Sequence, residues 1–142
     1  MGSVSSPRPW QEIAAAKKAE QLSRIPSEWR LSEQVLEDAE NTVDLRPIAA
    51  SCGILSPREL KITGINDALE LAAEIATGTY TAVEVATAYC KRAAIAQQLL
   101  SCLTEIRFLE AIEEAKELDK EFAKTGKPVG RLHGVPMTCK VG

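Results

Sequence analysis

The chemistry in this sequence gathers in "GRLHGVPMTCKVG", residues 130–142, where two glycines and a proline lead into a short apolar run that holds one lysine, Lys140. Proline is tolerated only near the start of a strand, so Pro136 predicts a strand running onward from it. Side chains then alternate between faces, with Met137 and Cys139 on one side and Thr138 and Lys140 on the other. A lysine at the C-terminal end of a buried strand stands where open α/β sheets place their active sites. Burial disfavours the ammonium form and lowers its pKa from about 10.4, by up to about 3–5 units in the extreme. A lysine tuned in this way accepts a proton as a general base. Thr138, on the same face, is placed to hydrogen-bond near it. Taken on its residue type alone, Lys140 reads first as an exposed lysine at a frayed end.

Other reactive residues make no constellation. The cysteines Cys52, Cys90, Cys102 and Cys139 form no C-x-x-C pair, and the single histidine, His133, cannot complete a usual zinc set. Reduced thiols in an intracellular, cytoplasmic protein are the expectation. Cys139 reads as a small core residue facing away from Lys140, and His133 as a turn or surface residue. "TGKPVG", Thr125 to Gly130, lacks the spacing of a phosphate loop and follows a helix, so it is set aside. The start "MGSVSS" fits an N-myristoylation pattern through Gly2 and Ser6, though one acyl chain binds membranes only marginally.

The elements that must position Lys140 are mostly helical. At 142 residues the chain has the length of one domain, and 45% hydrophobic with 26% charged residues excludes disorder as its class. Aromatics are scarce and alanine abundant, which favours helix packing. A net charge of −3 gives no nucleic-acid footprint. No apolar run approaches the roughly 18 residues of a spanning helix, and no signal peptide opens the chain. Residues 1–9 are expected to be flexible. A helix is predicted from Trp10 to about Arg24, ended by Pro26, and a short one over Ser32 to Glu40. "RPIAASCGILSPREL" reads as a loop in which Ser56 and Pro57 open a single helical turn. The next helix places Ile65, Leu69, Ala72 and Ala76 on one face and ends at Gly78. Thr81 and Glu84 form a capping box for a following helix whose stripe is Val85, Tyr89, Ala93, Ala96 and Leu100. These two helices are expected to make an antiparallel hairpin. After an extended "SCLTEI", a third helix runs from about Leu109 to Lys124, with Glu113–Lys116 and Glu117–Lys120 pairs, and stops at Gly126. One strand then follows, with "SCLTEI" as its one candidate partner, and a two-stranded ribbon is marginal. The sequence looks like the beginning of an α/β protein without its sheet.

"GRLHGVPMTCK" resembles the entry to the amidase signature family, typically G-x-L-x-G-[VI]-P-[IV]-x-x-K. "ITGINDALELAAEIATGTYTAVEVATAYCKRAAIAQQ", with "CLTEI" and "ELDKEF" after it, is similar to the N-terminal part of the same family. The lead-in "WQEIAAAKKAEQLSRIPSEWRL" resembles fungal acetamidase-like and general amidase members, so the likeness runs from about residue 10 onward. It implies an α/β amidase fold, of which this stretch is mainly helical with one or two short C-terminal strands. It also implies amide hydrolysis by a serine–cis-serine–lysine triad, with Lys140 matching the lysine and no metal or organic cofactor. The family lysine is usually followed by an acidic residue, where this chain has Val141. The serines present are Ser3, Ser5, Ser6, Ser23, Ser27, Ser32, Ser51, Ser56 and Ser101, and none lies in a Gly-Gly-Ser context.

Three units follow: a flexible 1–9, a helical extension over 10–60, and the N-terminal part of an amidase domain over 61–142, cut short. Its partners are expected to be a small-molecule amide, with a second copy or a full-length homologue as a protein partner, and no nucleic acid or membrane span. Two other readings stand beside it: a non-catalytic helical interaction module, and part of a glutamine amidotransferase subunit.

Overall fold

The computed structural model describes residues 9–140, so the expectations for Gly2 and for most of the N-terminal segment lie outside the described residues. Seven helices follow in order: α1 (Trp10–Ser23), α2 (Glu33–Glu40), α3 (Ile48–Ser51), α4 (Pro57–Thr63), α5 (Ala68–Ala76), α6 (Ala82–Leu100) and α7 (Phe108–Thr125). A 3-10 turn, Ser27–Trp29, lies between α1 and α2.

Local signals start and stop these helices. The Ser56 hydroxyl accepts from the Glu59 amide while the Glu59 carboxylate accepts from the Ser56 amide, and Pro57 takes the first helical position. Thr81 and Glu84 make the same reciprocal pair at the head of α6. The helix opened by Ser56 runs seven residues rather than a single turn. Gly78 and Gly126 follow α5 and α7 in left-handed conformations that a Cβ would oppose. Within the expected loop, Ile48–Ser51 closes one extra helical turn.

α6 is the axis of the molecule and packs most extensively against α7 and α4. One cluster joins Ile25 and Trp29 to Cys90 and Ala94 of α6 and to Ile106 and Phe108, with the Trp29 and Phe108 ring centroids 6.1 Å apart. A second gathers Ile62, Leu71, Ile75, Tyr80, Val85 and Ala88, so α5 meets α6 there. Each fully buried Ile or Val in these clusters contributes about 1.5–3 kcal/mol. Ala82, Ala86 and Ala115 bring α7 close to α6, because small side chains permit near approach. The stretch 25–31 is thus built into the same core as α6, and Gln98 of α6 adds hydrogen bonds to the Leu31 amide and the Trp29 carbonyl.

Of the stripe expected on α5, Ala72 is buried and Ile65 partly so, while Leu69 and Ala76 are exposed. Leu71, Ala72 and Ile75 are the buried residues, while Leu69 is 58% exposed. Asp67, whose carboxylate accepts from the Leu69 and Glu70 amides, starts the helix at Ala68. Ile65 therefore lies outside the helix.

The expected C-terminal strands are not formed: no residue among those described is in a β-strand. The partner segment is engaged otherwise. The Gln21 side chain donates to the carbonyls of Leu103 (2.9 Å) and Thr104 (3.0 Å), and Arg24 donates to that of Ile106 (3.1 Å). The Leu103 amide donates to Gln97 Oε1 at 2.6 Å. Side chains from α1 and α6 take the groups a ladder would have used, which leaves 136–140 extended but unpaired.

Candidate active-site segment

Lys140 stands at the end of a segment that is anchored at its root and open at its tip. Beyond Gly126, the Thr125 hydroxyl accepts from the Lys127 amide at 3.2 Å. A turn follows in which the His133 amide donates to the Gly130 carbonyl and the Val135 amide to that of Leu132. Gly134 has φ +74°, and a Cβ there would lie 3.0 Å from Ala82 Cβ and 3.2 Å from Ile75 Cδ1. The backbone therefore touches α5 and α6 directly, and Val135 packs against the cluster of Ile62, Leu71 and Ile75.

The Ala82 that Gly134 meets is itself held. The Asp119 carboxylate of α7 accepts from the Ala82 amide at 2.7 Å and the Val83 amide at 3.0 Å. It fills donors that no residue within α6 reaches and puts negative charge at the positive helix end. Asp119→Ala is expected to cost about 1–2 kcal/mol, read as a lower urea midpoint with an unchanged slope. No local sequence signal marks Asp119, because its partner lies a whole helix away.

Past Pro136 the chain leaves the body. Met137, Thr138, Cys139 and Lys140 are exposed, so the burial expected of Lys140 and the core role expected of Cys139 are both corrected. The reason is the missing ladder: without a neighbouring strand nothing covers either face. His133 is corrected in the other direction, being 6% exposed with its ring 5.7 Å from that of Phe122. Beside this turn, Leu69, Ala72, Ala73 and Ala76 of α5 and Pro128, Gly130 and Arg131 line an open apolar groove of about 220 Å³.

The thiols divide by environment. Cys90 is buried against the Phe108 carbonyl, and burial pushes its thiol up to about 11. Cys102 and Cys139 are exposed, and all four cysteines are unpaired. Iodoacetamide at pH 8 is expected to label Cys102 and Cys139 and spare Cys90 until the chain is unfolded, as read by peptide mass spectrometry. Among the described residues no group of His, Cys, Asp or Glu side chains could hold a metal ion, and no helix is long and apolar enough to cross a membrane.

Comparison with known proteins gives this geometry its context. The Amidase family model matches residues 84–140, from the capping glutamate of α6 to Lys140 itself. A Curvularia clavata protein named as an amidase, kk1C, is 47% identical over 92% of this chain and 24% of its own length. The acetamidase of Emericella nidulans is 44% identical over 94% of this chain and 23% of its own. A solved structure of fatty acid amide hydrolase superposes with a TM-score of 0.73 at 31% identity, over 91% of this chain and 23% of that one. The chain is similar in sequence to these amidases and shares the fold of the matching part of fatty acid amide hydrolase. It spans about a quarter of the length of the curated relatives it matches.

Proposed function

We propose that residues 61–142 are the lysine-bearing part of an amide-hydrolysing domain, with 10–60 as a helical extension before it. The observation that carries this is the match over 84–140, which takes in the Gly134-Val135-Pro136 turn and ends on Lys140. Lys140 is the base. In the reaction the resemblance implies, one serine attacks the carbonyl of a small amide and passes its proton through a second serine to the lysine. Collapse of the tetrahedral adduct returns that proton from the lysine to the departing nitrogen, which leaves as ammonia, and water then cleaves the acyl-serine ester to the acid. Backbone amides stabilise the oxyanion.

We place both serines outside this chain's described serines, five of which spend their side-chain hydrogen bonds elsewhere. Ser32 and Ser56 cap helices, Ser23 and Ser51 donate to backbone carbonyls, and Ser27 bonds to Glu28. Four unpaired thiols support a reducing, cytoplasmic setting. The open groove beside α5 supports contact with further amidase structure, from a longer chain or a partner copy.

The test is a chimera in which this chain replaces the matching quarter of the Emericella nidulans acetamidase. The chimera is expected to release ammonia from acetamide, and the 142-residue chain alone to release none. A folded chimera without turnover would overturn the assignment.

A further inference from the structure

The amides that open α6 are all satisfied, but from two different sources. Thr81 and Glu84 serve each other, each side chain accepting from the other's backbone amide. The remaining two, of Ala82 and Val83, both donate to the Asp119 carboxylate of α7, at 2.7 Å and 3.0 Å. The local box already sets where α6 begins. What Asp119 adds is the spacing of α6 and α7 at that point.

That point is the root of the Lys140 segment. Phe122 lies one turn beyond Asp119 on α7, and its ring centroid is 5.7 Å from that of His133. The next residue, Gly134, lies so close to α6 and α5 that a Cβ on it would be 3.0 Å from Ala82 Cβ and 3.2 Å from Ile75 Cδ1. Residues 133 and 134 therefore sit in a slot, with Phe122 as one wall and Ala82 with Ile75 as the other. Asp119 ties the two walls together, because it shares α7 with Phe122 and bonds the Ala82 amide directly. Past the slot, Val135 packs on the cluster of α5 and α6, and Met137 to Lys140 are exposed. The slot and Val135 are thus where the helical body grips the segment that carries the lysine.

We propose that Asp119 is a positioning residue for Lys140: its carboxylate fixes the spacing of α6 and α7, and so the seat of His133 and Gly134 from which the lysine segment departs. This rests on the amidase reading for the part the lysine plays, whereas the seat belongs to this chain alone. Without the carboxylate the Ala82 and Val83 amides lose their acceptor, and the wall that carries Phe122 is free to draw back. A base displaced by about 1 Å can lose on the order of 10²-fold in rate.

Two measurements decide it, with Ile95→Val as the control for lost stability alone. Ile95 is buried in the far half of α6 against Leu31 and Leu55, and trimming it is expected to destabilise about as much as Asp119→Ala. In the 142-residue chain the His133 and Val135 amides bond to the Gly130 and Leu132 carbonyls, so their hydrogen exchange reports on the turn. Asp119→Ala is expected to speed that exchange about 10-fold and Asp119→Asn, which keeps one oxygen to accept an amide, by less. Ile95→Val is expected to leave it within about twofold. Turn amides that exchange no faster in Asp119→Ala than in Ile95→Val overturn the proposal. In the acetamidase chimera, Asp119→Ala is expected to lower kcat about 10- to 10²-fold with KM changed less than about threefold. Asp119→Asn should recover part of that loss, and Ile95→Val should keep the parent kcat. Equal kcat in Asp119→Ala and Ile95→Val overturns the proposal as well. A chimera inactive with Asp119 intact would count against the amidase reading, and the exchange rates would still decide for or against the seat.

Discussion

Replacing Lys140 by alanine in the acetamidase chimera is expected to lower kcat for acetamide on the order of 10⁴-fold, because members of a catalytic triad act as a unit. KM should move little, since in the proposed reaction the lysine handles a proton and does not hold the amide. Lys140→Arg should not rescue the activity: a guanidinium stays protonated at any working pH and cannot accept the serine's proton. The structure supplies a control for folding. Lys140 is exposed, so in the 142-residue chain the same alanine substitution should leave stability within about 0.5 kcal/mol. A large kinetic loss joined to an unchanged urea midpoint separates chemistry from stability. A Lys140→Ala chimera that turns over like its parent would remove the lysine from the mechanism.

The parts of this fold legible in the sequence are those set within a few residues. Thr81 with Glu84, Ser56 before Pro57, and the stops at Gly78 and Gly126 are decided by one turn of backbone, and each stands where the spacing predicts. Expected ion pairs on α7, Glu113–Lys116 and Glu117–Lys120, form at 2.6 Å each. They are exposed, and such pairs add little to stability.

What escaped was set at longer range. The buried face of α5 includes Leu71 and Ile75 because they meet Val85 and Ala88 of α6, a contact that spacing within α5 does not display. His133 looked like a loop residue because Phe122, which buries it, comes from the preceding helix. Asp119 was silent for the same reason. The strand failed because a strand is a property of two segments, and the one candidate partner here is engaged by Gln21, Arg24 and Gln97. The exposure of Lys140 was not legible from its motif, because it follows from the unpaired extended stretch that carries it.

The largest stability effect is expected at Gly134. Gly134→Ala requires a left-handed backbone, which costs a non-glycine residue about 1–2 kcal/mol. It also drives a Cβ to 3.0 Å from Ala82 Cβ, and overpacking of that kind adds about 1–3 kcal/mol. Whether the clash is relieved depends on whether Ala82 can yield. It is fully buried, and its amide is tied to Asp119 at 2.7 Å, so the α6 terminus resists the shift. A total loss of about 2–5 kcal/mol is therefore expected, seen as a lower urea midpoint at constant slope. Gly126→Ala separates the two causes, since Gly126 has φ +65° but nothing within 4 Å of an added Cβ. It should lose only about 1 kcal/mol, the backbone share. If Gly134→Ala cost no more than Gly126→Ala, the close contact with Ala82 would not be holding the turn. The root of the Lys140 segment would then be fixed by His133 and Val135 alone.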